Sequence, residues 1–150
     1  MALLHTATHS VSVHHGTLAF GVSQVFYDPV GQPPFESTGS GEVFAHTAAG
    51  DLVVELTLQV WSDSPAEPDQ SWEERYVLEL PWPEDRLLTV AEDFFEFHEG
   101  FGHVPLPKGG RVRAEGLRAG AAEVREIAML SGEDAVPPGT ERWLVRISPA

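Results

Sequence analysis

Hydrophobic and polar residues alternate along most of this chain, which is the pattern of a β-strand with one buried and one solvated face. In the clearest segment, residues 51–61, every second residue is a large aliphatic one: Leu52, Val54, Leu56, Leu58 and Val60. Residues 72–80 show the same alternation, and Pro81 and Pro83 follow them, as expected where a strand ends. Both segments predict antiparallel strands that bury one face in a core.

Shorter alternating segments predict the other strands. They are residues 10–14, 18–27, 43–47, 87–90, 94–98, 111–115 and 142–147. The sequence at 48–50 predicts a tight hairpin between two of these strands. Residues 121–130 are ambiguous, because their alanine, glutamate and arginine residues favour a helix whereas Val124 and Ile127 favour a strand. We predict a strand there, since the neighbouring segments have the periodicity of a sheet.

About eight or nine short strands separated by Gly- and Pro-rich turns predict an all-β fold, a two-layer antiparallel β-sandwich. The chain has 150 residues, which is the usual size of one domain. No repeat or linker divides it, so we expect residues 1–150 to form a single β-sandwich domain. Hydrophobic residues make up 42 % of the chain, which is enough for a core without disulfides or a structural metal.

The formal charge of −14 is distributed unevenly along the chain. Residues 1–74 contain ten acidic residues and no Lys or Arg, whereas residues 75–150 contain all nine basic residues and thirteen acidic ones. This balance argues against direct contact with nucleic acid or with an anionic membrane, both of which require a basic surface. It permits a basic protein partner that is attracted by the acidic surface. The alternative is that the acidity serves only solubility.

The cellular location is predicted from the lack of a signal peptide and of a membrane-spanning segment in the sequence. The first residues lack the basic and apolar regions of a signal peptide, and no stretch is apolar for the roughly 18–20 residues that a membrane span needs. We therefore expect a cytoplasmic protein without a membrane partner.

No catalytic motif is present. The chain has no cysteine, which excludes thiolate metal sites and a cysteine nucleophile. It lacks the motifs of serine hydrolases, zinc proteases and phosphate-binding loops. His98 and His103, with Glu96 and Glu99 nearby, form the best local cluster and are weak candidates for metal ligands. We accordingly predict a protein without catalytic residues or a cofactor, not an enzyme.

Acidic residues around two tryptophans suggest a binding surface instead. Glu67, Asp69, Glu73 and Glu74 lie in or beside one loop, and carboxylates in such a row suit the Lys and Arg side chains that normally hold phosphates. Trp61 precedes this loop and is a candidate aromatic anchor. Trp72 is predicted to belong to the core.

Several short motifs follow one another along the chain: residues 10–14 followed by Phe20, the strand 73–81, the turn and strand at 106–112, and the closing strand 141–150. Together they resemble the ComJ family, small β-sandwich inhibitors of a DNA-entry nuclease. Segment 28–42 departs from the family pattern. The resemblance implies an inhibitor or immunity-type protein that binds a nuclease, and it assigns no contact residues.

Two other functions stay open at this level. The first is a small metal-dependent enzyme or binder that uses His98 and His103. The second is a structural subunit of an assembly, for which an exposed apolar patch around Phe94 is a candidate contact.

Overall fold

A computed structural model describes residues 2–21, 33–37, 39–68, 72–91, 97–107 and 109–150. These residues form nine strands: β1 (Leu3–Val13), β2 (Thr17–Phe20), β3 (Phe35–Glu36), β4 (Val43–His46), β5 (Leu52–Trp61), β6 (Glu74–Pro81), β7 (Val90–Ala91), β8 (Arg111–Ala119) and β9 (Arg142–Pro149). One helix, α1 (Ala121–Ser131), and two 3₁₀ turns, Glu99–Phe101 and Glu133–Ala135, complete the described structure. No helix in this part of the chain is long and apolar enough to span a membrane.

The strands form two sheets, which confirms the predicted all-β fold. One sheet has five strands in the order β1-β5-β9-β8-β6, and the other has four in the order β3-β4-β2-β7. All pairings are antiparallel except that of β5 with β9. The parallel pair arises because β9 returns to the middle of the five-stranded sheet after α1.

The core lies between the two sheets and contains the residues that alternation predicted. The inward face of β5 is buried along its whole length, and Trp143, Val145 and Ile147 of β9 continue the apolar layer. All four residues of β2 and all four of β4 are buried. In the five-stranded sheet, β1, β5 and β6 alternate between buried or half-buried and more exposed residues, so the sheet is exposed on its outer face at these strands.

The predicted hairpin at 48–50 is wrong, because β4 and β5 belong to different sheets. Both edges of β4 are occupied, by β2 and by β3. The three residues instead carry the chain across from one layer to the other. The backbone N–H of Gly16 donates to Gly50 O at 2.8 Å and that of Thr47 donates to Gly16 O at 2.9 Å, so the two crossings from β1 to β2 and from β4 to β5 support each other.

The predicted strand at 121–130 is also wrong, because these residues form α1. The helix lies at the surface and buries only Ala121 and Val124, while Met129 and Leu130 are exposed. With so little burial, the strong helix propensity of the alanine, glutamate and arginine residues decides the conformation. Gly120, at φ 87°, begins the helix.

Other predicted strands differ in extent. The first strand begins at Leu3 and not at residue 10, because its threonine, serine and histidine side chains conceal the alternation. The predicted strand 18–27 is described only to residue 21. Of the predicted strand 94–98, only residues 97 and 98 are described, and Phe97 forms a β-bridge with Ala91.

Candidate partner-binding surface

The segment that follows β5 folds over the outer face of the five-stranded sheet. The guanidinium of Arg146 donates a hydrogen bond to the carbonyl of Ala66. Leu144 and Arg146, although they point away from the core, are only 7 % and 3 % exposed. Residues 62–68 therefore form a partial third layer, and a cleft remains between this layer and the sheet.

This cleft, here called the tryptophan cleft, has a volume of about 340 Å³. Its lining residues are Leu3, Thr57, Gln59, Trp61, Ala66, Glu67, Pro68, Trp72, Leu144 and Arg146. The indole N–H of Trp61 donates to Gln59 Oε1 at 3.0 Å. The indole N–H of Trp72 is buried without a hydrogen-bond partner among the described residues, and the guanidinium of Arg142 lies 5.2 Å from the Trp72 ring. Two aromatic walls and a few polar groups give the cleft the character of an anchoring site.

A buried ion cluster forms the floor of this region. Glu115 is 2 % exposed and accepts hydrogen bonds from Arg146 Nε at 2.6 Å and from Arg75 Nε at 2.7 Å. Glu115 lies directly opposite Arg146 on the neighbouring strand, so their side chains share the outer face. One carboxylate thus holds two guanidinium groups from β6 and β9, and Arg146 in turn holds residues 62–68.

We expect Glu115→Gln to lower the free energy of unfolding by about 2–3 kcal/mol, because the buried Arg146 guanidinium loses its counter-charge and the amide leaves one acceptor oxygen for two guanidinium groups. Urea denaturation measures this change. The matched control is Glu79→Gln, an exposed glutamate on the outer face of β6, for which a change within about 0.5 kcal/mol is expected. Equal effects of the two substitutions would contradict the role assigned to Glu115.

The structure brings together two of the five residues that the sequence suggested for partner binding. Trp61 and Glu67 both line the tryptophan cleft. Glu73 accepts a hydrogen bond from the backbone N–H of Gly120 at 3.1 Å, so it is engaged at the start of α1. Glu74 points to the inner face, and Asp69 lies outside the described residues.

A buried arginine compensates the negative charge of Glu74. Arg118 donates to it from Nε at 2.8 Å and from Nη2 at 2.6 Å. These hydrogen bonds lower the pKa of the Glu74 carboxyl and outweigh the opposing effect of burial. Tyr76 also donates to Glu74. The charge of Glu74 is therefore used within the fold.

The two histidines considered for metal binding lie in aromatic surroundings. The His98 ring is 5.3 Å from that of His9 and 4.9 Å from that of Phe101, whereas His103 packs against Phe97. Within the described ranges, no group of three or more histidine and carboxylate side chains has the geometry to hold a metal ion.

A second recess, here called the acidic cleft, was not found from the sequence. It has a volume of about 320 Å³ at the start of β5, and Asp51, Glu133, Asp134 and His14 are among its lining residues. Glu133 accepts hydrogen bonds from the backbone N–H groups of Gly50 and Asp51 at 3.0 and 3.1 Å. The sequence showed Glu133 and Asp134 as adjacent acids, but their contact with residues 50 and 51 depends on the fold.

An alcohol, an imidazole and a carboxylate lie in one row across the four-stranded sheet. His46 contacts Thr17 Oγ1 at 3.0 Å through Nδ1 and Glu36 Oε2 at 2.8 Å through Nε2. This is the order of groups that activates a nucleophile in some enzymes. Here Thr17 and His46 are 2 % and 5 % exposed, and neither lines the tryptophan cleft or the acidic cleft. Hydrogen bonds along this row therefore join β2, β3 and β4.

Glu141, the residue that precedes β9, is fully buried. Its carboxylate accepts hydrogen bonds from the backbone N–H of Ala48 at 2.8 Å and from the indole N–H of Trp143 at 2.7 Å. The nearest cation is Arg118, at 3.9 Å. Burial raises the pKa of the Glu141 carboxyl above its ordinary value of 4.5, because desolvation disfavours the charged form.

This raised pKa predicts a pH-dependent contribution to stability. The folded chain binds the Glu141 proton more tightly than the unfolded chain, so the contribution of this group is largest below pH 4.5 and is lost as the pH rises through the folded pKa. Glu141→Gln removes the titration. We expect the difference in unfolding free energy, parent minus variant, to fall as the pH rises above 4.5, as measured by urea denaturation at several pH values. A constant or rising difference would contradict the raised pKa.

Comparison with known proteins identifies the fold. No protein-family model and no curated protein matches the chain. Its structure is similar to that of ComJ from Bacillus subtilis, an inhibitor of the DNA degrading activity of NucA, with a TM-score of 0.63 and 9 % identity over 100 % of both chains. It is also similar to a protein described as crocagin biosynthetic gene J, with a TM-score of 0.56 and 12 % identity over 99 % of both chains. At these identities the likeness shows the fold, and it confirms the structural resemblance to ComJ that the sequence motifs indicated.

Proposed function

We propose that this chain is an inhibitor-type protein that binds a basic protein, such as a nuclease, and blocks its nucleic-acid-binding face. The observation that carries the proposal is the likeness to ComJ over the whole of both chains. The net charge of −14 supports it, because a protein that holds nucleic acid presents Lys and Arg side chains that an acidic surface can occupy.

The contact surface that we propose is the outer side of β5 with the clefts at its two ends. The acidic cleft lies where β5 begins and the tryptophan cleft where it ends. A ten-residue strand spans roughly 30 Å, which is an ordinary length for a protein interface. In this arrangement Trp61 is an apolar anchor, while Glu67 and Asp134, both exposed, provide charge at opposite ends.

The experiment tests whether this chain inhibits the DNA-degrading activity of nucleases from the source cell. Calorimetry then measures the affinity between the chain and any nuclease that it inhibits. Inhibition is expected, with binding that weakens as salt is raised because opposite charges attract across the interface. The double charge reversal Glu67→Lys and Asp134→Lys should lower the affinity at least ~10-fold.

The matched control is Glu123→Lys with Glu126→Lys, which makes the same change in net charge on exposed positions of α1. This control should stay within about 2-fold of the parent affinity, because those residues lie outside the proposed surface. The proposal fails if no nuclease is inhibited. Equal loss in both double variants would show that overall charge matters and that the β5 surface does not.

A further inference from the structure

Among the described residues, the first strand is a sheet edge that lacks the usual protection. β1 and β6 are the two edges of the five-stranded sheet, and β3 and β7 are those of the other sheet. Natural proteins protect edge strands with short length, charged residues or proline, because exposed backbone groups recruit other strands. β3 and β7 have two residues each, and β6 carries exposed charged residues and ends at Pro81. β1 has eleven residues and contains no Asp, Glu, Lys, Arg or Pro.

The outer side of β1 offers backbone groups for pairing. In the described part of the chain β1 pairs with β5 alone, so the amide and carbonyl groups of alternate residues point away from the sheet. Leu3 and Leu4 at one end of the strand are 44 % and 56 % exposed. On the inner face His9 packs against Phe101 and contacts Gly100 O at 2.9 Å, so neighbouring structure supports the strand.

We propose that β1 is a docking edge for a second copy of this chain, which pairs with it antiparallel and joins two five-stranded sheets into one of ten strands. A two-fold axis at Thr8 places Thr6 opposite Ser10 and Leu4 opposite Ser12 on the outer face. The hydroxyl pairing resembles the contact already present between Thr8 and Thr57, whose oxygens lie 2.8 Å apart. No charged side chain faces another in this register.

Charge distinguishes a second copy of this chain from a basic protein as the partner that binds at β1. A neutral strand offers no complementary charge to a basic protein, which the acidic cleft would attract instead. Two copies carry a formal charge of −14 each, and this repulsion is screened by salt at distances beyond about 8–10 Å. Self-association should therefore become tighter as salt is raised, whereas binding of a basic protein should become weaker. The inference does not depend on the proposed inhibition.

The first measurement is sedimentation equilibrium of the tag-free chain. A monomer–dimer equilibrium is expected, with a dissociation constant on the order of 10–100 μM, since pairing of a single strand makes a small interface. The dissociation constant should decrease as the salt concentration is raised. A chain that stays monomeric at about 500 μM, or one whose association weakens with salt, would overturn the proposal.

Complementary variants test the register. Thr6→Lys with Ser10→Lys places lysines opposite each other, and Thr6→Glu with Ser10→Glu does so with glutamates, so each variant alone should associate at least ~10-fold more weakly. A 1:1 mixture should recover a heterodimer. Circular dichroism establishes that both variants fold. Failure of the mixture to associate contradicts the pairing.

The matched control is Val77→Lys on β6, the other edge, where Val77 is 45 % exposed. Dimerisation should be unchanged. Loss of the dimer in this variant alone would show that the interface lies at β6 and would overturn the assignment of β1. Hydrogen exchange adds a second readout, because amides of β1 should become protected as the concentration of the chain rises.

Discussion

Gly120→Ala is expected to lower the free energy of unfolding by about 3–5 kcal/mol, which combines the strain of a left-handed residue with a steric clash. Gly120 has φ 87°. A Cβ atom placed on it would lie 1.8 Å from Thr140 O and 2.8 Å from Thr140 C. Both contacts are with backbone, so no side-chain rotation relieves them. Thermal or urea denaturation measures the loss.

Gly139→Ala is the matched control for this substitution. Gly139 has a similar φ of 81°, and no atom lies within 4 Å of the position that its Cβ would take. Its cost should be about 1–2 kcal/mol, the strain of the left-handed conformation alone. If the two alanine variants are equally stable, the close approach of Gly120 to Thr140 does not constrain the fold.

The clash matters because Gly120 is where the chain leaves β8 for α1, and Thr140 is where it returns to β9. The carboxylate of Glu73 accepts a hydrogen bond from the Gly120 N–H at 3.1 Å, and that of Glu141 accepts one from the Ala48 N–H at 2.8 Å. The two ends of the segment 120–140, which connects β8 to β9, are therefore in contact. This contact allows β9 to enter the sheet beside β8 and to pair in parallel with β5.

The alternating strands were predictable because one face of each is apolar. β5, β6 and β9 show this pattern in sequence, and the structure places their aliphatic residues as expected. α1 was not predictable from its surroundings, because a surface helix that buries only Ala121 and Val124 leaves a weak apolar signal. The connection at 48–50 was misjudged because a short turn suits a hairpin and a change of layer equally well.

The candidate surface was predictable only in part. Trp61 and Glu67 are near in sequence and near in space. Adjacent strand residues face opposite sides, so the orientation of Glu74 away from Glu73 follows from a rule that sequence can supply. Its partner Arg118 is 44 positions distant, and no spacing reveals such a pair. The acidic cleft could not be predicted for the same reason, because Glu133 is hydrogen-bonded to Gly50, which is 83 positions away in the sequence.

Arg118→Met should lower the free energy of unfolding by about 3–5 kcal/mol, because it removes one partner of buried ionic contacts and leaves the others uncompensated. Arg118 is 1 % exposed. It donates to both oxygens of Glu74 and, from Nη1, to the carbonyl of His46 at 3.1 Å. Its guanidinium also lies 5.2 Å from the Trp143 ring. Methionine replaces the apolar stem and supplies none of these hydrogen bonds.

The exposed Arg111 provides the control, since Arg111→Met should change stability by less than about 0.5 kcal/mol. A double variant then separates charge from packing. With Arg118 replaced, the buried carboxylate of Glu141 loses its ion-pair partner among the described residues, so adding Glu141→Gln should cost less than it does in the parent chain.

Additive losses in this cycle would mean that Arg118 stabilises the fold without a contribution from Glu141. A coupling of about 1 kcal/mol or more would instead show that Arg118 also makes the burial of Glu141 tolerable. The second result is expected, because Glu141 is fully buried and retains only two neutral hydrogen-bond donors without Arg118. The buried arginine would then connect the two sheets electrostatically, through Glu74 on β6, His46 on β4 and the residue that precedes β9.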